Sequence, residues 1–377
     1  MLMELTAAVL AACVLYYAGY VVLRAWGFGR LVCHPPREVL LPSVSVIVPA
    51  RNEAEHLAAC LHSLMQQSYP AHLYEVLVVN DQSTDATPGI ARVFSVRHPG
   101  RIRVLDLPAG LPGSKKAAVS AGVSQAAGAI ILQTDADCIV PPGWIASMAA
   151  QFQGRTVLVS GPVLAAAGPH WMEQLQSLEL IGLTALGAGS IALGRPNLCN
   201  GANLAYLKSV FEAVGGFEGV DHFASGDDEL LLQKIVRSQA GAVRFARCRS
   251  AIVQTAVQPG WKQLKAQRIR WVSKARHYLQ RGVNLTQAVS YLAFWAFPVL
   301  AIFSLADARY GVLLAELLLL KAAADLPLMY RSAAFFHKLP LLRMLPLLEL
   351  VYIPYVIWVG LAGNLARSYD WKGRMVQ

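Results

Sequence analysis

Six aspartates fall into three acidic clusters: Asp81 and Asp85 in VVNDQSTD, Asp135 and Asp137 in QTDADC, and Asp227 and Asp228 in SGDDELL. Carboxylates held against one another are costly unless a cation or a ligand neutralises them, so their convergence would call for a divalent metal carrying a pyrophosphate. Asp135 and Asp137 stand one residue apart after the apolar run 130–132, a spacing that lets two carboxylates share an oxygen-seeking cation, Mg²⁺ or Mn²⁺. On its own such a triplet is equally good turn chemistry. The company of the other clusters raises it above that reading.

Asp227 and Asp228 follow Gly226 and precede the apolar stretch Leu230, Leu231 and Leu232, which places them at a helix start where the dipole favours anions. Capping needs one carboxylate, and the adjacent pair leaves another free to act as a general base on a hydroxyl. Asp81 and Asp85 follow the run 76–79, where a carboxylate can accept hydrogen bonds from a base or a ribose; Asp-x-Ser-Thr-Asp also caps turns well. VSVIVPARNE delivers Pro49, Ala50 and Arg51 to a loop after a buried strand, with Asn52 placed to start the next helix. Gln267, Arg270 and Trp271 lie on neighbouring faces of an amphipathic stretch, 263–277. Arginine forks suit phosphate and an indole suits a sugar face or a lipid chain, although a juxtamembrane helix with basic residues and a Trp anchor has the same pattern.

These residues need elements to carry them. Over residues 43 to 250, short β-rich runs (SVSVIVPA, EVLVVN, RIRVLDL, AIILQT, VLVSG) alternate with helical stretches at 53–67 and 114–126, as βαβ units do. The first two acidic clusters then lie at the carboxyl edge of a parallel sheet, where ligands bind.

The chain's 377 residues are 55% hydrophobic, with a mean hydropathy of +0.43, beyond the usual soluble balance. Residues 5–26 are long enough to cross a bilayer, and Glu4 before them with Arg24, Arg30 and Arg37 after them places the downstream chain in the cytoplasm; a cleaved signal peptide would want a basic start. Apolar stretches at 285–306, 310–330 and 344–365 offer two or three further crossings. Lys321 and Asp325 in the second are spaced to neutralise each other, while Pro346, Glu349 and Pro354 interrupt the third. Three crossings would put the tail outside, against the pull of Arg367, Lys372 and Arg374, so one of them would be re-entrant or interfacial. The apolar stretch 171–193 is read as an amphipathic helix plus a Gly-rich loop, because a crossing there would separate the acidic clusters.

The net charge of +10 suits an anionic membrane surface, and the missing basic helix interleaved with aromatics excludes nucleic acid as the partner. Six cysteines, without a CxxC pair or His-ligand spacing, read as reduced cytosolic thiols rather than a zinc site or a disulfide framework.

The ordered set VPARNE, NDQSTD, TDADC, CNGAN, GDDELL and QRIRW resembles the inverting family 2 glycosyltransferases, in the membrane-bound branch with cellulose synthase, hyaluronan synthase and ceramide glucosyltransferase. The resemblance covers residues 43 to 271. It implies a GT-A fold, a Rossmann-like mixed α/β sheet flanked by helices, facing the cytosol at the inner membrane, with a UDP-sugar donor and a divalent metal. By it, Asp81 and Asp85 hold the nucleoside end of the donor, Asp135 and Asp137 the metal and diphosphate, and Asp228 is the base assisted by Asp227. Pro49, Ala50, Arg51 and Glu53 join the donor loop. Lys115 matches a Gly-Lys stretch, with Ser114 in place of the glycine. Gln267, Arg268 and Arg270 go to the diphosphate or a closing helix, and Trp271, Asn200 and Gly201 to the acceptor end.

The expected organisation is a membrane helix over 1–30, a GT-A domain over 40–260, an interface helix over 261–282, membrane helices over 283–368 and a basic tail over 369–377. With so few helices to enclose a polar path, a single transfer to a lipid-linked or membrane-proximal acceptor is favoured over processive polysaccharide synthesis. A non-catalytic nucleotide- or lipid-binding scaffold, or a nucleotidyltransferase, would not require all three acidic clusters together with QRIRW.

Overall fold

The structure is a computed structural model that describes residues 1–35, 41–108, 113–221, 226–273, 278, 281–365, 369–371 and 374–376. Arg37, Arg367, Lys372 and the end of the 263–277 stretch lie outside the described residues. The chain divides into two compact units.

One unit comprises Leu31–Ala167, Gly194–Val257 and Ser368–Gln377. Its main strands are β1 (Val44–Ala50), β2 (Tyr74–Asn80), β3 (Ile102–Asp106), β4 (Ile130–Gln133), β6 (Thr156–Ser160), β8 (Leu204–Leu207) and β9 (Ala242–Phe245). They form a seven-stranded mixed sheet in the order β3-β2-β1-β4-β8-β6-β9. A second small sheet joins β5 (Cys138–Ile139), β10 (Val253–Thr255) and β7 (Val163–Ala165). Helices α2 (Leu57–Met65), α3 (Thr87–Arg97), α4 (Lys115–Gln125), α5 (Trp144–Ala149), α7 (Lys208–Ala213) and α8 (Asp227–Ser238) complete it.

Strands β1 to β4 run parallel. The central two are mostly apolar because both faces are covered: all of β1 but Pro49 is buried, and so is every residue of β4. From β1 the chain winds outward through β2 and β3, then returns to place β4 on the opposite side. That reversal opens a crevice beyond the carboxyl ends of β1 and β4. Strand β8 is antiparallel to β4, with Leu204 opposite Gln133, so the turn entering β8 lies at the same edge as the residues leaving β4.

The helix expected over 53–67 begins only at Leu57. Asn52 does not cap it: its φ is 51° and its Oδ1 accepts from the Thr84 amide at 2.9 Å, in the loop after β2. Ser114 does cap α4, accepting from the Ala117 amide at 3.1 Å, a contact generally worth about 1 kcal/mol. The reading of six reduced thiols is corrected as well: Cys33 and Cys248 form a disulfide across a sequence separation of 215, too far apart for spacing to mark.

The other unit comprises Met1–Arg30, Gly168–Leu193 and Gln258–Arg367. It contains α1 (Leu2–Arg30), α6 (Trp171–Ala192), α9 (Trp261–Ser273), α10 (Arg281–Phe303), α11 (Ala308–Phe335) and α12 (Leu345–Leu365). Four helical stretches among the described residues are long and apolar enough to cross a membrane: Leu2–Arg30, Trp171–Ala192, Gly282–Phe303 and Leu339–Leu365. Pro298, Pro327 and Pro354 sit inside helices without ending them, as neighbouring membrane helices allow.

The Gly-rich loop expected at the end of the 171–193 stretch is instead helix. Its glycines serve close packing: a Cβ on Gly189 would lie 2.2 Å from the Arg24 carbonyl oxygen, and one on Gly27 would lie 2.6 Å from the Gly189 oxygen. Small residues where α1 crosses α6 let the backbones touch. Arg24 is buried there, its Nε donating to the Ser190 hydroxyl at 3.3 Å.

The charges that interrupt α11 and α12 answer one another. Lys321 lies 2.9 Å from Asp325 and also pairs with Glu349, while the Tyr17 hydroxyl donates to Asp325 at 2.9 Å. Charged side chains in apolar helices persist when they face partners in this way.

Candidate active site at the sheet edge

The turn Gly201–Asn203 that enters β8 is the floor of the site. Asn203 fixes it from below: its amide donates to the Pro162 and Ala251 carbonyls at 2.8 Å each, and its Oδ1 accepts from the Trp144 indole at 2.9 Å. Thr134, just after β4, donates to the Ala202 carbonyl at 2.9 Å. A fully buried network of this kind has one arrangement, because each group released would be left unsatisfied.

Above this floor the side chains converge. The Lys115 ammonium, at the start of α4, lies 2.7 Å from Asp135 Oδ1 and 3.2 Å from Asp227 Oδ2. Gln133, the last residue of β4, donates to the same Asp227 oxygen at 2.7 Å. A Cβ on Gly201 would come within 3.0 Å of Asp227 Oδ2 and Lys115 Nζ and 3.1 Å of Gln133 Nε2, so the cluster closes over a position that a side chain would fill. Asp135 precedes α6 and Asp227 follows it, so Lys115 gathers acidic groups from either side of that apolar helix into one place.

The two aspartates at the head of α8 differ. Asp227 is buried and engaged by Lys115 and Gln133. Asp228 is half-buried, with Oδ2 accepting from the Gly201 amide at 3.0 Å and Oδ1 from the Glu229 amide at 2.7 Å. Gly226 makes this start possible with a φ of 83°, which a side chain would resist. Asp228 is thereby aimed by two backbone amides while part of its surface stays open.

Asp135 and Asp137 are both half-buried, and Ala136 between them is buried. Burial, and then the neighbouring Asp135 charge, hold the Asp137 carboxyl above its ordinary range. Burial acts to lower the Lys115 pKa, but Asp135, Asp227 and Asp228 outweigh it and hold the ammonium charged above its ordinary range. Among the described residues Lys115 thus interacts with Asp135, Asp227 and Asp228 together. Among the described residues no group of three or more His, Cys, Asp or Glu side chains could cage a metal alone. The donor set fits an ion of the Mg²⁺ or Mn²⁺ type, which takes one or two carboxylates and completes its shell with water and substrate phosphates.

The loops after β1 and β2 form the neighbouring wall. Pro49 and Ala50 pair with Val79 and Asn80, and Arg51 is buried with its guanidinium donating to the carbonyls of Asp81 and Gln82 at 2.8 and 3.0 Å. Glu53 is buried, and its amide donates to the Thr87 hydroxyl at 2.7 Å. Asp81 is buried directly after β2. Asp85 is exposed and braces the loop, its two oxygens accepting from the amides of Ala54 and Thr87 at 3.0 Å each. Burial would raise its carboxyl, but the Thr87 and Ala54 hydrogen bonds win and hold it below the ordinary range.

The QRIRW residues lie on α9, in the helical unit. Arg268 is buried, while Gln267, Arg270 and Trp271 are half-buried. The Arg268 guanidinium meets Glu179 of α6 at 2.6 Å, donates to Gln267, and lies over the Trp271 ring, 4.1 Å from its centroid.

Sequence reasoning did not select Gln133 or Glu179. The available signal was a polar residue inside an apolar element, since a buried polar group needs a partner.

Residues 45–215 match the sequence model of glycosyl transferase family 2. The chain is 34% identical over 192 residues to glycosyltransferase AglE of Haloferax volcanii, covering 50% of this chain and 59% of that protein. It is 31% identical over 115 residues to a beta-monoglucosyldiacylglycerol synthase of Synechocystis, covering 30% of this chain and 24% of that protein. The chain therefore spans less than two thirds of the curated relatives it matches. Among solved structures, a mannosyltransferase from Pyrobaculum calidifontis in complex with GDP-Man and Mn²⁺ superposes with a TM-score of 0.62, at 22% identity, over 92% of this chain and 99% of that one, a likeness of fold.

Proposed function

We propose that the chain is a family 2 glycosyltransferase, from the match of residues 45–215 to that family's sequence model, and that it moves a sugar from a nucleotide-sugar to a hydroxyl of a lipid or lipid-linked acceptor, inverting the anomeric centre. The single observation that carries this reading is the sheet-edge cluster, where Lys115, Gln133 and the Gly201 amide hold Asp135, Asp227 and Asp228 together. A cluster of carboxylates at this edge suits a metal-bound diphosphate.

In this reading Asp135 and Asp137 hold a divalent ion, which when bound neutralises the diphosphate and eases its departure. Asp81, Pro49, Ala50, Arg51 and Glu53 shape the nucleoside wall, with Asp85 bracing it. Lys115 balances the carboxylates and leaves Asp135 oriented. Asp228, aimed by two amides and half open, takes the acceptor proton as the hydroxyl attacks the anomeric carbon, while buried Asp227 keeps Lys115 and Gln133 in register. Gln267 and Arg270 are assigned to the diphosphate side, and Asn200, Gly201 and Trp271 to the acceptor side.

The acceptor class is supported by the apolar helices and by the relative named for a glucosyldiacylglycerol. Both a UDP-sugar and a GDP-sugar are to be assayed, the former from the family resemblance and the latter from the donor in the mannosyltransferase complex. A catalytic unit facing the cytoplasm at the inner membrane completes the proposal. The test is release of nucleoside diphosphate by the full chain in detergent with lipid acceptor and Mn²⁺. Asp228→Asn should lower turnover by about 10² to 10⁴, the usual contribution of a general base. Near-normal turnover in that variant refutes the assignment.

A further inference from the structure

The helix that bears the QRIRW residues has few anchors of its own. Of the 13 residues of α9, only Leu264 and Arg268 are buried, and they stand four apart on one face. Toward α12 it has apolar contacts: the Trp261 and Trp358 rings lie tilted against each other with centroids 6.5 Å apart, and Gly363 lets Val272 approach so closely that a Cβ there would lie 2.8 Å away. Its link to α6 is ionic.

Three helices meet at one carboxylate. Glu179 Oε2 accepts from Arg268 Nε at 3.1 Å and Nη2 at 2.6 Å, and Glu179 Oε1 accepts from the Tyr355 hydroxyl of α12 at 3.1 Å. The side chains of Arg268 and Glu179 retain only 6% and 10% of their accessible surface. The remaining guanidinium nitrogen donates to Gln267, and the Trp271 ring covers its face. A guanidinium used on its edge, its tip and its face has little left to offer a phosphate.

We infer that Arg268 is a positioning residue and that Glu179 is its partner: the Glu179 carboxylate fixes the rotation of α9 and so the directions in which Gln267, Arg270 and Trp271 point. This rests on the proposed glycosyl transfer in assigning those three residues to the donor and acceptor. It departs from the sequence expectation only for Arg268. Removing one member of a buried ion pair strands the other charge, whereas removing both charges is often tolerated, and this asymmetry separates a positioning role from a ligand role.

The experiment uses the full chain in detergent with three variants: Glu179→Gln, Arg268→Met, and the two combined. Hydrogen exchange of the α9 amides should rise in each single variant, with α10 unchanged, and return toward the wild-type level in the double. Turnover should fall at least about tenfold in each single variant and recover in the double to within about threefold of wild type, with an unaltered donor KM. Were Arg268 a diphosphate ligand, the double would stay as impaired as Arg268→Met, with donor KM raised. That result, or unchanged α9 exchange in Glu179→Gln, overturns the inference. The exchange measurement decides it even for a chain that transfers no sugar, so failure of the lock and failure of the proposed function are distinguishable.

Discussion

Two lysines in this molecule each lie between two carboxylates, and their settings differ. Lys321, in the helical unit, faces Asp325 and Glu349 with 2% of its side chain exposed, and Tyr17 takes up a further hydrogen bond of Asp325. Lys115, at the sheet edge, faces Asp135 and Asp227 with 19% exposed, and Asp135 itself is 33% exposed. The first cluster is closed, its groups answering one another across α1, α11 and α12. The second is more open, and Asp137 and Asp228 stand beside it, both half-buried. One cation between two carboxylates is here almost wholly enclosed in one place and, in the proposed reading, part of a ligand site in the other.

Three substitutions test that contrast. Lys321→Met should have the largest effect on the folded protein, since it leaves buried Asp325 and half-buried Glu349 without their cation; loss of one partner of a buried pair typically costs about 3–5 kcal/mol. Thermal unfolding in detergent should fall steeply, while any folded fraction binds nucleotide-sugar as wild type does. Altered donor affinity in that fraction would erase the distinction between the clusters. Lys115→Met should do the reverse, leaving unfolding changed by a few degrees at most while kcat/KM for the donor drops by about a hundredfold, roughly 2.7 kcal/mol. A variant of Lys115 that unfolds yet retains turnover when rescued by lipid would make this cluster structural as well.

Asp85→Asn should have the smallest effect. Its carboxylate sits at the surface and braces a loop, so the loss should stay below about 1 kcal/mol with turnover nearly intact. Its folded carboxyl lies below the ordinary value of 3.8, so its stabilisation is present above that pH and disappears as pH falls through the depressed value. The difference in unfolding midpoint between wild type and Asp85→Asn should therefore hold at pH 7 and close in acid below 3.8. A turnover loss as large as that of Lys115→Met would instead place Asp85 against the donor.

Much of this arrangement could be read from residue order. Buried strands such as VSVIVPA and AIILQT carry their own signal, and so does the step from Gly226 into Asp227 and Leu230, because local pattern and final structure agree there. What escaped depends on distant partners. Asp85 also braces its loop through the Ala54 amide, a contact across 31 positions that no local spacing announces. The glycines of α6 look like a loop until Arg24 and Gly27 of α1 lie against them. Cys33 and Cys248, like Glu179 and Arg268, are pairs made by the fold across long stretches of chain, with no spacing to announce them.

The most direct measurement of the central claim is calorimetric titration of nucleotide-sugar into the full chain with and without Mn²⁺, on wild type, Asp137→Asn and Asp228→Asn, alongside transfer to lipid acceptor. The account predicts Mn²⁺-dependent donor binding that Asp137→Asn weakens and Asp228→Asn spares, with transfer abolished in Asp228→Asn. Donor binding that ignores Mn²⁺ and Asp137, or transfer that survives without the Asp228 carboxylate, would contradict it.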